Sequence, residues 1–380
     1  MRLLIITLLL SFCINSDKIF VACEGNFYDG NQGSLWTISD NEIHEYPNNP
    51  IGSVAQSLYV YEDLLFVIVN GSSNIQIFQI TESSLTPIDI VDTGASGPRE
   101  MVVYNDKLYF TNWYSMDIKK LNLQTLQIES SIQMPGLPED IIYHDGLLYV
   151  SITMNSDWSD GNQVVVVSPV SETVVDSFEV GLGPGNLVVH NDELYVSRTY
   201  YDSSWNAFYG TSKIKTDGTV IVENYGSGAV CGGSLHTYQS SVYRTYEGGI
   251  AKLDDDLQII PDSKIGDYAP EEIYSSDVFG EIIYFGLSDF LGNDEVAVVG
   301  EDGVEIARYA VGSLPGDFAI WNSCENSGDL NDDTVVDIID VVSIVNFILS
   351  DLEYACNADF NSDGYIDILD IVQMVQLILS

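Results

Sequence analysis

Asp329, Asn331, Asp333, Val335, Asp337 and Asp340 occupy positions 1, 3, 5, 7, 9 and 12 of the stretch DLNDDTVVDIID. Thirty residues later, Asp359, Asn361, Asp363, Tyr365, Asp367 and Asp370 repeat that spacing in DFNSDGYIDILD. Alternating carboxylate and amide oxygens around a tight turn suit a hard cation. Ca²⁺ takes six to eight oxygens, from side chains at positions 1, 3, 5 and 12, a backbone carbonyl at 7 and a group at 9 that often acts through water. Two Ca²⁺ ions are therefore expected, with Val335 and Tyr365 contributing only their carbonyls. Each loop runs into a matching apolar helix, VVSIVNFILS from Val341 and IVQMVQLILS from Ile371. Residues 324–380 hold twelve acidic side chains and no Lys or Arg. Such a segment needs cations to offset its self-repulsion before it can compact.

A calcium loop followed by a helix, written twice and lacking the entering helix of a full EF-hand, resembles the dockerin family over roughly residues 324–380. The resemblance implies that the twelve positions above are the metal ligands and that the module docks on a cohesin-like or other cell-surface protein. Two departures from the family pattern bear on this. Thr334 stands where the second loop has Gly364, and a β-branched residue is strained where φ > 0 is favoured; the first site is expected to be the weaker. The basic pair that grips cohesin in many dockerins is replaced by Val345 with Asn346 and by Val375 with Gln376, so a different partner surface is expected. The competing expectation is an end-cap that packs on its own chain.

The chain has 380 residues, room for one large domain and a small one. The opening MRLLIITLLLSFCINS reads as a secretory signal peptide over residues 1–16, its apolar run being too short to span a membrane. Cys23, Cys231, Cys324 and Cys356 then face an oxidising compartment. Cys324 and Cys356 precede the two loops at near-equivalent places and are expected to form a disulfide, while Cys23 and Cys231 are left free. A net charge of −44, from 57 acidic and 13 basic residues, excludes nucleic acid as a natural partner. It suits a secreted protein in salty, calcium-containing water.

Residues 17–321 alternate in short apolar runs with little helical periodicity. YVYEDLLFVIV, VVYNDKLYFT, IYHDGLLYVS, VVHNDELYVS and HTYQSSVYRT recur about every forty residues, most of them behind a Gly/Pro turn. That period, with four short strands per unit, predicts a β-propeller blade. Six units are internal, and a seventh joins Pro315–Trp321 to Lys18–Tyr46, closing the ring without open edges. The wording VVYNDKLYFTNWYSMDIKKLNLQTLQIESSI resembles the YVTN-type, surface-layer-like propellers, which implies the fold and an extracellular habit and no catalytic residues. The expected fold is mainly β, a seven-bladed propeller over 17–321, a linker at 322–328 and a small α-helical calcium-binding module over 329–380.

Two features belong to one face of such a propeller. Glu100, Asp140, Asn186, Glu272 and Asp317 each follow a turn Pro by two residues. They would ring the axis and hold a cation or a basic group, or merely line a water-filled channel. The longer loops carry Phe27, Tyr28, Trp113, Tyr114, Trp158, Tyr200, Tyr201, Trp205 and Phe290 beside Asp and Asn. Exposed rings with hydrogen-bonding neighbours suit sugar stacking or protein contact, although Tyr and Phe also fill the gaps between blades. The loop SDWSDGN is a weaker candidate for a further Ca²⁺. No nucleophile elbow, zinc motif, phosphate loop or dinucleotide fingerprint occurs, and His44 and His236 have no companion in the sequence. The leading expectation is a non-catalytic extracellular binding protein whose propeller takes a carbohydrate or protein ligand. The alternatives are a carbohydrate-active hydrolase or lyase of polysaccharide catabolism, and a structural surface-layer component.

Overall fold

The repeat VVYNDKLYFT folds as a tight antiparallel hairpin, Pro98–Tyr104 against Lys107–Asn112 with Tyr104 opposite Lys107. The two turn residues, Asn105 and Asp106, both adopt left-handed backbone, with φ of 52° and 56°. Asn191 with Asp192 and Gln239 with Ser240 do the same in later repeats. Two consecutive left-handed residues mark the turn whose twist matches a two-residue hairpin, and Asn and Asp tolerate that conformation best. The computed structural model describes residues 17–26, 30, 32–228, 234–322, 328, 330, 335–350, 358, 360 and 366–379. They form two units, one spanning Lys18–Trp321 and one that includes the chain from Asn322 onward.

The first unit holds seven antiparallel sheets. In chain order they are blade 1 (55–92), blade 2 (98–133), blade 3 (136–179), blade 4 (184–227), blade 5 (235–252) and blade 6 (273–310). Blade 7 joins Pro315–Trp321 to Lys18–Cys23, Gln32–Ser39 and Glu42–Glu45. The innermost strands neighbour one another in sequence order, and the strand of blade 7 touches those of blades 6 and 1, so the ring is closed. The second strands are mostly buried along their length because they lie between two blades. Leu65 to Val69 are all buried, as are Leu148, Val150 and Ile152. Each such side chain contributes roughly 1.5–3 kcal/mol by leaving water.

Blade 5 departs from the four-strand pattern. It has three strands, and beyond them only single bridges join Leu253 to Ile259 and Ile250 to Ile265. Asp254 caps a turn by accepting from the N–H groups of Asp256 and Gln258, and Pro261, without an N–H, opens a short 3₁₀ turn. A continuous outer strand cannot pass through both.

In the second unit, α1 (Ile338–Ser350) and α2 (Ile368–Ile378) pack around Val341, Ile344, Ala358 and Met374. Leu330 and Phe360, thirty residues apart like the helices, close the same small core. Asp367 caps α2 by accepting from the Leu369 N–H at 2.7 Å, and Asp370 reaches back to the Asp367 N–H at 2.7 Å. Asp337 and Asp340 repeat both bonds at the start of α1. This capping box appears twice because its sequence, Asp followed three residues later by Asp, does.

Candidate ligand-binding face

The rim aromatics are presented by one local device used in three blades. Asp157 accepts from Ser159, Asp202 from Ser204 and Asn206, and Asp289 from Leu291. The residue enclosed by each turn is left-handed: Trp158 at φ 67°, Trp205 at 61° and Phe290 at 63°. Bulky side chains seldom adopt this conformation, and it clusters where a ligand or partner is held. The rings turn outward, Trp158 being 57 % and Trp205 82 % exposed. Tyr114 is also exposed and lies over Gly97, where a Cβ would come within 2.7 Å of its ring.

These rings form short chains. Trp158 meets Trp113 edge-on at 6.3 Å, and Tyr201 lies 6.2 Å from Trp205. The Asp160 carboxylate accepts the Tyr201 N–H, tying the loops of blades 3 and 4 together. The carboxylates of the SDWSDGN loop are thus spent on turns and on Tyr201. Tyr200 stacks on Phe208 and Phe290 packs edge-on against Tyr274. Phe27 and Tyr28 lie outside the described residues.

Trp113 and Tyr201 also line a cavity of about 470 Å³ at the propeller axis. The inner strands bring Glu100, Asp317 and Asn186 into its wall, together with Arg99, Glu139, His236 and Asp277. Arg99 lies over the Trp113 ring at 4.2 Å and is held by both Glu139 oxygens and by Gln56. Three axial groups bridge successive blades. Asp317 accepts the Leu58 N–H at 2.6 Å, Asp140 the Leu187 N–H at 2.6 Å, and Asn186 the Leu235 N–H at 2.7 Å. Glu100, at the same position in blade 2, makes no such bond. The N–H it would reach, that of Ile141, already donates to Asp140 at 2.7 Å.

Burial lifts all three carboxyls above their ordinary range, Asp140 to about 6. Glu100 and Asp317 are raised further by each other's neighbourhood, Asp317 adding to Glu100 and Asp277 to Asp317. Among the described residues no three His, Cys, Asp or Glu side chains converge as a metal cluster would require.

Glu272 does not belong to this ring. The inner strand of blade 6 begins only at Ile273, so Glu272 sits in the exposed turn before it and Ser275 takes the axial place. The insertion that reshapes blade 5 moves the turn Pro270 out of register with the other blades. Two residues lining the cavity had no signal in the sequence alone. His236 is buried with Nε2 at 2.9 Å from Ser276 Oγ and Nδ1 at 3.6 Å from Asp277. Ser276 also meets Ser234 at 3.0 Å. Only the alignment of adjacent inner strands could have found this group, because its members come from two blades.

In the C-terminal unit the described loop residues are Val335, Asp337, Asp340, Asp367 and Asp370. Asp329, Asn331, Asp333, Asp359, Asn361, Asp363 and Tyr365 lie outside the described residues, as do Cys231, Cys324, Cys356 and residues 1–16. Asp340 and Asp370, the last ligand position of each loop, are fully buried. Asp340 accepts the Leu330 N–H with one oxygen and the Asp337 N–H with the other, folding the loop back onto its helix. A buried carboxylate in a segment without Lys or Arg calls for a cation, and the all-oxygen donor set fits Ca²⁺. Cys23 is a free, buried thiol in blade 7. Among the described residues no helix is long and apolar enough to cross a membrane.

Comparison with known proteins separates the two units. Residues 327–379 match the family model of the dockerin type I domain, a calcium-binding type of domain that binds cohesins. No curated protein matches the chain. Among solved structures, a putative 6-phosphogluconolactonase from Bacteroides uniformis superposes with a TM-score of 0.57 at 12 % identity, covering 81 % of this chain and 100 % of the other. A second, from Bacteroides fragilis, gives 0.56 at 12 % identity over 82 % of this chain and 99 % of the other. A hypothetical selenium-binding protein from Sulfolobus tokodaii gives 0.56 at 10 % identity, over 81 % and 94 %. At such identities these likenesses speak for the propeller fold alone. The chain is a seven-bladed propeller followed by a dockerin type I domain.

Proposed function

We propose that this propeller-dockerin chain is a secreted, non-catalytic binding protein. Its C-terminal module holds two Ca²⁺ ions and attaches the chain to a cohesin-like protein of a cell-surface or multiprotein assembly. Its propeller presents the aromatic rim to carbohydrate. The observation that carries the reading is the repeated left-handed turn that holds Trp158, Trp205 and Phe290 outward. Rings needed only for packing between blades would be buried, at no conformational cost. A flat apolar face beside Asp and Asn side chains matches the alternating C–H and hydroxyl surfaces of a sugar ring.

The docking half draws support from the two helices. Ile339 and Leu369, and Val342 and Val372, are exposed at equivalent positions thirty residues apart. An apolar surface there replaces the absent basic pairs and fits a partner with an aliphatic patch. Affinity electrophoresis of the whole chain through immobilised polysaccharides tests the carbohydrate reading. Retention on at least one glycan is expected, with Trp205→Ala and Trp158→Ala each weakening it about tenfold, since one stacked ring contributes on the order of 1 kcal/mol or more. Migration that no polysaccharide alters would refute it.

A further inference from the structure

Charge at the axial cavity narrows the ligand class. Four acids line the cavity: Glu100, Glu139, Asp277 and Asp317. Glu139 is neutralised by Arg99, and Asp277 faces His236 at 3.6 Å. Asp317 is held by the Leu58 N–H. Among the described residues the Glu100 carboxylate alone of these four accepts no hydrogen bond and forms no ion pair, its bonds running through its backbone, although the charge of nearby Arg99 partly offsets its own. It lines the cavity together with Trp113 and Asp317. The buried Nε1 of Trp113, in the same wall, also lacks a partner. An enclosed carboxylate without a donor is costly, and the cost falls when a donor arrives with the ligand.

We propose that Glu100 receives a protonated amine at the base of the aromatic rim, so that the glycan bound is one with free amino groups, of the glucosamine type. This rests on the carbohydrate reading above and adds its charge. A uronic acid or sulfated sugar would meet the field of Glu100 and Asp317. A neutral sugar would cover Glu100 without pairing it. An ammonium satisfies the carboxylate with a charge-assisted hydrogen bond. The cavity volume lies within the range of small-ligand sites. Burial, with Asp317 and Asp140 nearby, keeps the Glu100 carboxyl well above its usual range. A carboxyl raised in this way sheds any proton it holds when an ammonium pairs with it.

Calorimetry of the full chain with Ca²⁺ present tests this, using a glucosamine oligosaccharide and its N-acetylated counterpart at pH 6 in two buffers of different ionisation enthalpy. The glucosamine oligomer is expected to bind at least about tenfold more tightly, the scale of one charge-assisted bond, and to release protons on binding. Glu100→Gln should erase both the preference and the proton release while leaving the acetylated oligomer's weaker binding and the thermal transition unchanged. Equal binding of the two oligomers, or a preference that survives Glu100→Gln, would overturn the assignment of Glu100 and leave the carbohydrate reading standing. Binding of neither oligomer, with a lysine-rich peptide bound in a Glu100-dependent way, would overturn both in favour of a protein ligand. Absence of binding to any of the three would likewise refute both.

Discussion

The two units solve the problem of excess negative charge in opposite ways. In the propeller, most acids that reach the axis are given backbone donors: Asp140, Asp317 and the isosteric Asn186 each accept an N–H from the next blade, Glu100 being the exception. In the C-terminal unit the buried Asp340 and Asp370 also accept backbone N–H groups. Their neighbours in sequence, however, are further acids with no base among them. A large apolar frame can absorb a few carboxylates, whereas a small core of four buried residues cannot hold twelve acids together unaided. Calcium is therefore expected to be structural to the C-terminal unit and not to the propeller.

Chelation offers the harshest test of that contrast. Removing Ca²⁺ should abolish the helical signal of residues 338–378 entirely while leaving the propeller's β signal and its thermal transition in place. Circular dichroism of the full chain with excess chelator reads both, and helices that persist would erase the distinction. A smaller effect is expected from the interblade ties. Asp140→Ala removes the acceptor for the Leu187 N–H and should cost about 1–3 kcal/mol of propeller stability in denaturant titration. Asp140→Asn should cost much less, because Asn186 already fills this role one blade on.

The same pair of variants separates on pH. The Asp140 carboxyl titrates at about 6 in the folded chain and near 3.8 in its ordinary state. Between these values the folded form binds the extra proton, so stability is full below about pH 4 and declines as pH rises through 6. Asp140→Asn should flatten that decline, which melting temperatures at pH 4, 5, 6 and 7 would show. The mildest change concerns the two loops themselves. Thr334→Gly should tighten the first calcium site by a few-fold, bringing it toward the second. A calcium titration that shows no change would mean that the turn of the first loop does not need a left-handed residue.

Much of this arrangement could be read from the chain. Hairpins such as VVYNDKLYFT fix their own register through tight turns, and six of them, with the pairing of the propeller's two end strands, account for the ring. Legibility failed where a contact depended on length changes or on a neighbouring blade. Glu272 follows a turn Pro like its counterparts, yet the insertion after Asp254 shifts the strand start by three residues. His236 looked solitary because its companions Ser276 and Asp277 approach from the next blade. The difference between Glu100 and Asp140, one methylene in the sequence, becomes the difference between an unpaired acceptor and an interblade tie only once adjacent strands are placed.

Blade 7 couples the two ends of the propeller, and this sets the order in which the protein can form. Lys18–Cys23 is buried at all six positions, but its inner partner, Pro315–Trp321, is synthesised roughly three hundred residues later. Until then an apolar strand waits with one edge unpaired, the condition under which chains associate wrongly. The ring therefore closes last, at the strand that leads directly into the calcium module. A chain cut short before residue 315 would lack both the closing strand and the dockerin domain.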